Sequence, residues 1–172
     1  NLAYEHMDFS SDGSRGNWEL MLEMPVSDKV SLRLTVPFVS YNFPQQDLSS
    51  SVGDVSLRAT YLYDVNRERG IVFQGEVFAN TAKDPGRGYD TTVLKATAIY
   101  AKFLEGGRIL APALSHSEAV GRRKTVSETV LDLYYVPHLK NPAWYMTVDP
   151  AVVHNWEADD TYASLAVTTG RA

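Results

Sequence analysis

The sequence predicts an all-β fold, an antiparallel up-and-down transmembrane β-barrel of about ten to twelve strands, with residues 1–172 forming one domain. Three observations carry this. Apolar residues recur with a period of two along most of the chain, which is the strand signature because successive side chains point to opposite faces. The longer runs are about ten to twelve residues, close to the ~9–11 that cross a bilayer at a tilt, whereas ordinary strands average ~5–6. Charges of both signs sit in mid-strand on one parity, so the two faces must meet different solvents.

Gly53 to Asp64 shows the pattern most plainly. Val55, Leu57, Ala59, Tyr61 and Tyr63 share one parity, and Asp54, Ser56, Arg58 and Thr60 the other. Upstream, Leu2 to Phe9 is strand-like. Asn17–Val26 sets Trp18, Leu20, Leu22, Met24 and Val26 against Asn17, Glu19, Met21 and Glu23. Ser27-Asp28 is a tight turn, and Lys29–Phe38 sets Val30, Leu32, Leu34, Val36 and Phe38 against Lys29, Ser31, Arg33, Thr35 and Pro37. Two such runs around a short polar break form a hairpin. Asn42–Val52 is a polar loop.

Downstream, a turn at Asn66–Gly70 leads to a strand over Ile71–Ala82, and a glycine-rich break spans Lys83–Asp90. Further strands are expected over Thr92–Phe103, Arg108–Ser115, Thr125–Pro137, Trp144–Trp156 and Thr161–Thr169. Glu105-Gly106-Gly107 reads as a hairpin turn, Ala119–Lys124 as a basic loop, Asn141-Pro142 as a turn and Glu157–Asp160 as an acidic break. The breaks alternate roughly between short and long, the rhythm of outer-membrane barrels and not of a Greek-key sandwich.

Glu19, Glu23, Arg33, Arg58, Glu76, Lys95, Glu128, Asp132 and Asp149 occupy the polar parity. In a membrane barrel they line the lumen, while Trp18, Leu20, Leu22, Leu32, Leu34, Leu57 and Tyr61 face lipid. A soluble lipocalin-like barrel with an apolar ligand inside is the alternative, and there the charges face bulk water. Aromatics such as Trp18, Phe38, Tyr41, Tyr63, Trp144 and Trp156 gather at strand ends, as interfacial girdles do. About ten strands also enclose a bore too wide for apolar side chains to fill, since ~8 already reach that limit. Glu19, Glu23, Arg33 and Arg58 are expected to form an ion-pair ladder across consecutive strands.

The totals narrow the function classes. A formal charge of -5 with no basic aromatic motif argues against nucleic-acid binding. With no cysteine, neither a disulfide framework nor a thiolate metal site is available. No run of about 18 apolar residues forms a transmembrane helix. No signal peptide opens the sequence, which starts at Asn1 in strand-like sequence and reads as a processed or trimmed chain.

Pro37-Phe38 closing one strand, Gly53-Asp54-Val55 with Leu57 and Tyr61 opening the next, and the upstream Trp18-Glu19-Leu20 resemble a bacterial outer-membrane family labelled after the meta-pathway of phenol degradation. The likeness lies in the N-terminal half. Val52 stands where that family commonly has a second glycine, and Asn80-Thr81-Ala82 where it often has Pro-Thr-Gly. The resemblance implies a β-barrel transporter of small hydrophobic or aromatic compounds.

Catalytic constellations are weak. His6, His116, His138 and His154 lack metal-ligand spacing. In His116-Ser117-Glu118 the serine points away from the histidine, because only residues two apart share a strand face, so an outer-membrane hydrolase is the third reading. His154 with Asp159 or Asp160 is unspecific, and the Lys83–Asp90 loop lacks a phosphate cradle's Gly-Lys-Ser/Thr. No enzyme activity, cofactor or metal is expected. The expected partners are the lipid bilayer, lipopolysaccharide and a small permeant; Arg122-Arg123-Lys124 has the charge to meet lipopolysaccharide phosphates but reads better as a solvated loop.

Overall fold

The structure, a computed structural model, describes residues 2–8, 14–42, 49–83, 87–121 and 125–171. Among them there is no helix. The strands are β1 (Leu2–Asp8), β2 (Ser14–Ser27), β3 (Val30–Asn42), β4 (Ser49–Val52), β5 (Ser56–Val65) and β6 (Arg69–Phe78). They continue with β7 (Thr92–Leu104), β8 (Arg108–Val120), β9 (Ser127–Val136), β10 (Trp144–Asn155) and β11 (Asp160–Arg171). Apart from β4, which pairs with β3, each strand neighbours the next in sequence. Pairing is antiparallel for β1–β2, β2–β3, β8–β9, β9–β10 and β10–β11. The chain is therefore an all-β antiparallel meander.

Local chemistry sets the turns. The Asn66 side chain accepts from the N–H groups of Glu68 and Arg69 at 2.9 and 3.0 Å, an Asx turn that reverses the chain between β5 and β6. Asn155 does the same for Glu157 and Ala158 before β11, and Asn141 for Ala143 before β10. Gly106 and Gly107, both at φ 74°, make the β7–β8 turn in a region that other residues avoid. A bulge between Pro25 and Ser27 ends the β2–β3 ladder where proline has no N–H to give.

Several boundaries differ from the sequence reading. β2 starts at Ser14 and β3 runs on to Asn42. The segment read as a loop contains β4, whose serines pair with Val39 to Tyr41. β6 stops at Phe78 instead of Ala82, because from Ala79 the backbone turns to bond Val55 and Asp54. β8 continues past Ser115 to Val120, so Ala119 and Val120 belong to a strand. Arg122-Arg123-Lys124 lie outside the described residues.

The chain divides into two compact units. The first comprises Asn1–Ala59, Glu76–Leu94 and Ala119–Thr125. Its buried side chains are Val39 and Val93 together with Asn17, Asp54, Ser56, Glu76, Arg87 and Thr91. Trp18, Leu20, Leu22, Met24, Leu34, Phe38, Leu57 and Leu94 are exposed, and Leu32 is half-buried. The second comprises Thr60–Gly75, Lys95–Glu118 and Val126–Ala172. It buries Ala111, Ala113, Ala151, Val153, Ser115 and Ser117, and exposes Tyr61, Phe73, Leu114, Leu131, Leu133, Val152 and Leu165. Among the described residues no Leu, Ile, Met, Phe, Tyr or Trp is buried in either unit. The sheltered face is built of small, polar and charged side chains, and the open face of large apolar ones.

Candidate functional site

The nine charged residues of the polar parity all lie on strands, opposite the open apolar parity. In the first unit they form two separate pairs instead of a continuous ladder. Arg33 sits directly across from Glu23 and donates to it at 2.9 Å, with Ser31 adding a 3.4 Å contact. Arg58 grips Glu76 through Nε at 2.9 Å and Nη2 at 2.7 Å, and Ser56 donates to the other carboxylate oxygen at 2.6 Å. Glu76 is 5% exposed, and three donors satisfy its buried carboxylate oxygens. Glu19 joins neither pair; it accepts from Asn17 Nδ2 at 2.9 Å. In the second unit Asp132 faces Ala113 and Ala151 across the ladder, Asp149 pairs with Ala166, and Glu128 lies between Ser117 and Asn155. Lys95 is the cation whose field reaches both Asp132 and Asp149.

Asp54 has a role that strand periodicity does not reveal. Its Oδ1 accepts from the N–H groups of Thr81 and Ala82, both at 2.9 Å, and its Oδ2 from Tyr89 N–H at 2.6 Å. Thr81 Oγ1 accepts from Val55 N–H at 2.9 Å and donates to Gly53 O at 3.2 Å. One carboxylate thus clamps the chain that follows β6 against the start of β5. Gly53 and Gly88 are the small residues this needs: a Cβ on Gly53 would come within 2.8 Å of Arg87 O, and one on Gly88 would overlap the Asp54 carboxylate. Asp54→Ala strands three N–H groups, and losing such bonds destabilises by about 1–3 kcal/mol per unsatisfied group. We expect a lower denaturation midpoint and faster proteolysis between residues 79 and 90, with Gly88→Ala reproducing the proteolytic phenotype.

Beside this clamp, the first unit has a pocket of about 290 Å³. Arg15, Asn17 and Glu19 of β2 and their register partners Pro37 and Val39 of β3 form one wall, and Asp54, Phe78 and Arg87–Tyr89 complete the lining. Phe78 and Tyr89 meet edge to face at 5.4 Å. The sequence places Asn17 on the polar parity without giving it a role, and does not single out Arg15, which lies before the first clean alternation, or Arg87, which lies inside the glycine-rich break.

His116 and His154 sit on the open face of the second unit, while His138 follows β9 in a loop and His6 belongs to β1 of the first unit. His116 Nδ1 lies 3.0 Å from Thr129 Oγ1 and its Nε2 3.3 Å from Glu118, while Thr129 also accepts from Trp156 Nε1 at 2.9 Å. His154 contacts Thr161 Oγ1 at 2.8 Å and packs on Trp156. His116, Thr129 and Glu118 therefore bring a hydroxyl, an imidazole and a carboxylate together, as a hydrolase requires. They lie on an open strand surface whose backbone N–H groups are committed to neighbouring strands. Among the described residues no group of three or more His, Cys, Asp or Glu could hold a metal ion.

No protein-family model and no curated protein matches the chain.

Proposed function

We propose that the chain is a transmembrane β-barrel of a bacterial outer membrane, acting as a passive channel or transporter for small compounds or as the structural membrane part of an assembly. The observation that carries this is the inverted distribution of apolar side chains. In water a sheet buries its large apolar residues and exposes its charges. Here Leu22, Leu57, Leu114, Leu131 and Leu165 are exposed while Glu76 and Asp54 are buried. Such a surface fits hydrocarbon, and it speaks against a lipocalin-like barrel, whose interior would hold those leucines.

Two further features of the second unit support the reading. On the open face, Leu114 gives way to His116 and Glu118 along β8, and Val152 to His154 and Trp156 along β10. Register places His116 and His154 level with Thr129. A change from apolar to polar at one level, marked by a tryptophan, is how an interfacial girdle reads. A hollow of about 280 Å³, lined by Phe73, Tyr100, Pro112, Leu114 and Leu131 among others, suits an acyl chain. The outer-membrane assignment and the transport role rest on the family resemblance of Trp18–Leu20, Pro37-Phe38 and Gly53–Tyr61.

The test is reconstitution. The protein is expected to require detergent for extraction and to produce discrete conductance steps in a planar bilayer. Full solubility in buffer without detergent would overturn the membrane reading; a bilayer-inserted but silent protein would leave only the structural role.

A further inference from the structure

The pocket beside β2 contains two polar atoms with no partner. Asn17 is 7% exposed, and its Oδ1 is buried without a donor. Arg15 Nε is likewise buried without an acceptor, while Arg15 Cζ lies over the Tyr41 ring at 5.8 Å. Both side chains line the pocket. A buried amide oxygen and a buried guanidinium N–H each lose free energy when left unmatched. Native interiors rarely tolerate two such atoms side by side unless something else supplies the match.

The other groups nearby are already occupied. Asn17 Nδ2 is committed to Glu19, and Asp54 accepts from the backbone N–H groups of Thr81, Ala82 and Tyr89. The open valences are therefore one cationic donor at Arg15, one neutral acceptor at Asn17 and the remaining acceptor capacity of the Glu19 carboxylate. These residues stand at positions i, i+2 and i+4 of one strand, so neighbouring Cα atoms are about 6.5–7 Å apart along the face. A ligand that fits must carry an anionic group for Arg15 and, one short bond path away, N–H donors for Asn17 and Glu19. A carboxylate with an adjacent ammonium has that pattern.

We propose that this pocket is a binding site for a small free α-amino acid, its carboxylate on Arg15 and its ammonium on Asn17 Oδ1 and Glu19. Pro37, Val39 and the Phe78–Tyr89 pair enclose the side chain of the ligand. The site goes beyond the channel reading and does not depend on it, because binding is measured on the purified folded chain, in detergent or in buffer, and needs no conductance.

The test is calorimetric titration of the purified full chain with glycine, L-serine, acetate and methylamine. Glycine and L-serine are expected to bind saturably, and acetate and methylamine at least tenfold more weakly. Asn17→Leu is expected to weaken glycine at least tenfold while leaving acetate unchanged; Arg15→Gln is expected to weaken both. Absence of saturable glycine or serine binding to the wild type overturns the proposal, as does equal affinity for acetate, and neither result depends on a variant folding. Undiminished glycine binding by a folded Asn17→Leu protein also overturns it.

Discussion

Leu22→Arg is expected, on the membrane reading proposed above, to weaken folding into lipid vesicles by about 2–4 kcal/mol, the penalty a lipid-facing cation pays near a bilayer centre. Leu22 is 57% exposed in the middle of a band running from Trp18 to Val26, and it faces Leu34 across the β2–β3 ladder. The next residue gives the control. Glu23 points to the opposite side, and its pair with Arg33 is solvent-accessible on both partners, so Glu23→Gln is expected to change stability by less than about 1 kcal/mol. The comparison separates the two solvents. On a water-facing surface Leu22→Arg would be close to neutral, as isolated surface substitutions are. The measurement is a reversible denaturant titration in vesicles for both variants, and similar values for the two would refute the facing assignment.

Glu76→Ala is expected to cost about 1–3 kcal/mol, the loss typical of leaving polar partners unsatisfied, because Glu76 is 5% and Arg58 30% exposed. Arg58 would lose both its contacts, and Ser56 its short hydrogen bond to the other carboxylate oxygen. The effect comes from what is left behind, a half-buried guanidinium without its two carboxylate contacts and a buried Ser56 hydroxyl without its acceptor. Replacing both partners with apolar residues, Arg58→Met with Glu76→Leu, is therefore expected to recover most of the loss, since no charge is then stranded. Equilibrium unfolding of the two variants checks this. A double variant as unstable as the single one would show that the pair does more than compensate its own burial.

Much of the fold can be read from the sequence because parity is a local property. Val55 to Tyr63 announce their faces without knowledge of any other strand, and the same holds for β2, β3 and β7. What escaped has physical reasons. In β4 the run Ser49-Ser50-Ser51 shows no apolar alternation, and only pairing with β3 makes it a strand. The tail of β8 was missed because His116 and Glu118 occupy its open face, so the apolar period stops while the backbone continues. The residues of the pocket were hidden for another reason. Asp54 meets Thr81, Ala82 and Tyr89 at separations of 27 to 35 residues, and nothing in the local pattern encodes which distant N–H groups a carboxylate will find. Glu19 shows the same limit: its parity was legible, but not its choice of Asn17 over an arginine.

The order in which strands are joined has an evolutionary corollary. Since, among the described residues, each long strand pairs with the long strands before and after it and the short β4 adds only to β3, the gene can gain or lose one β-hairpin while the other partnerships keep their register. Sheets joined in this way can change their strand number by duplication of a single hairpin without passing through a misassembled ancestor.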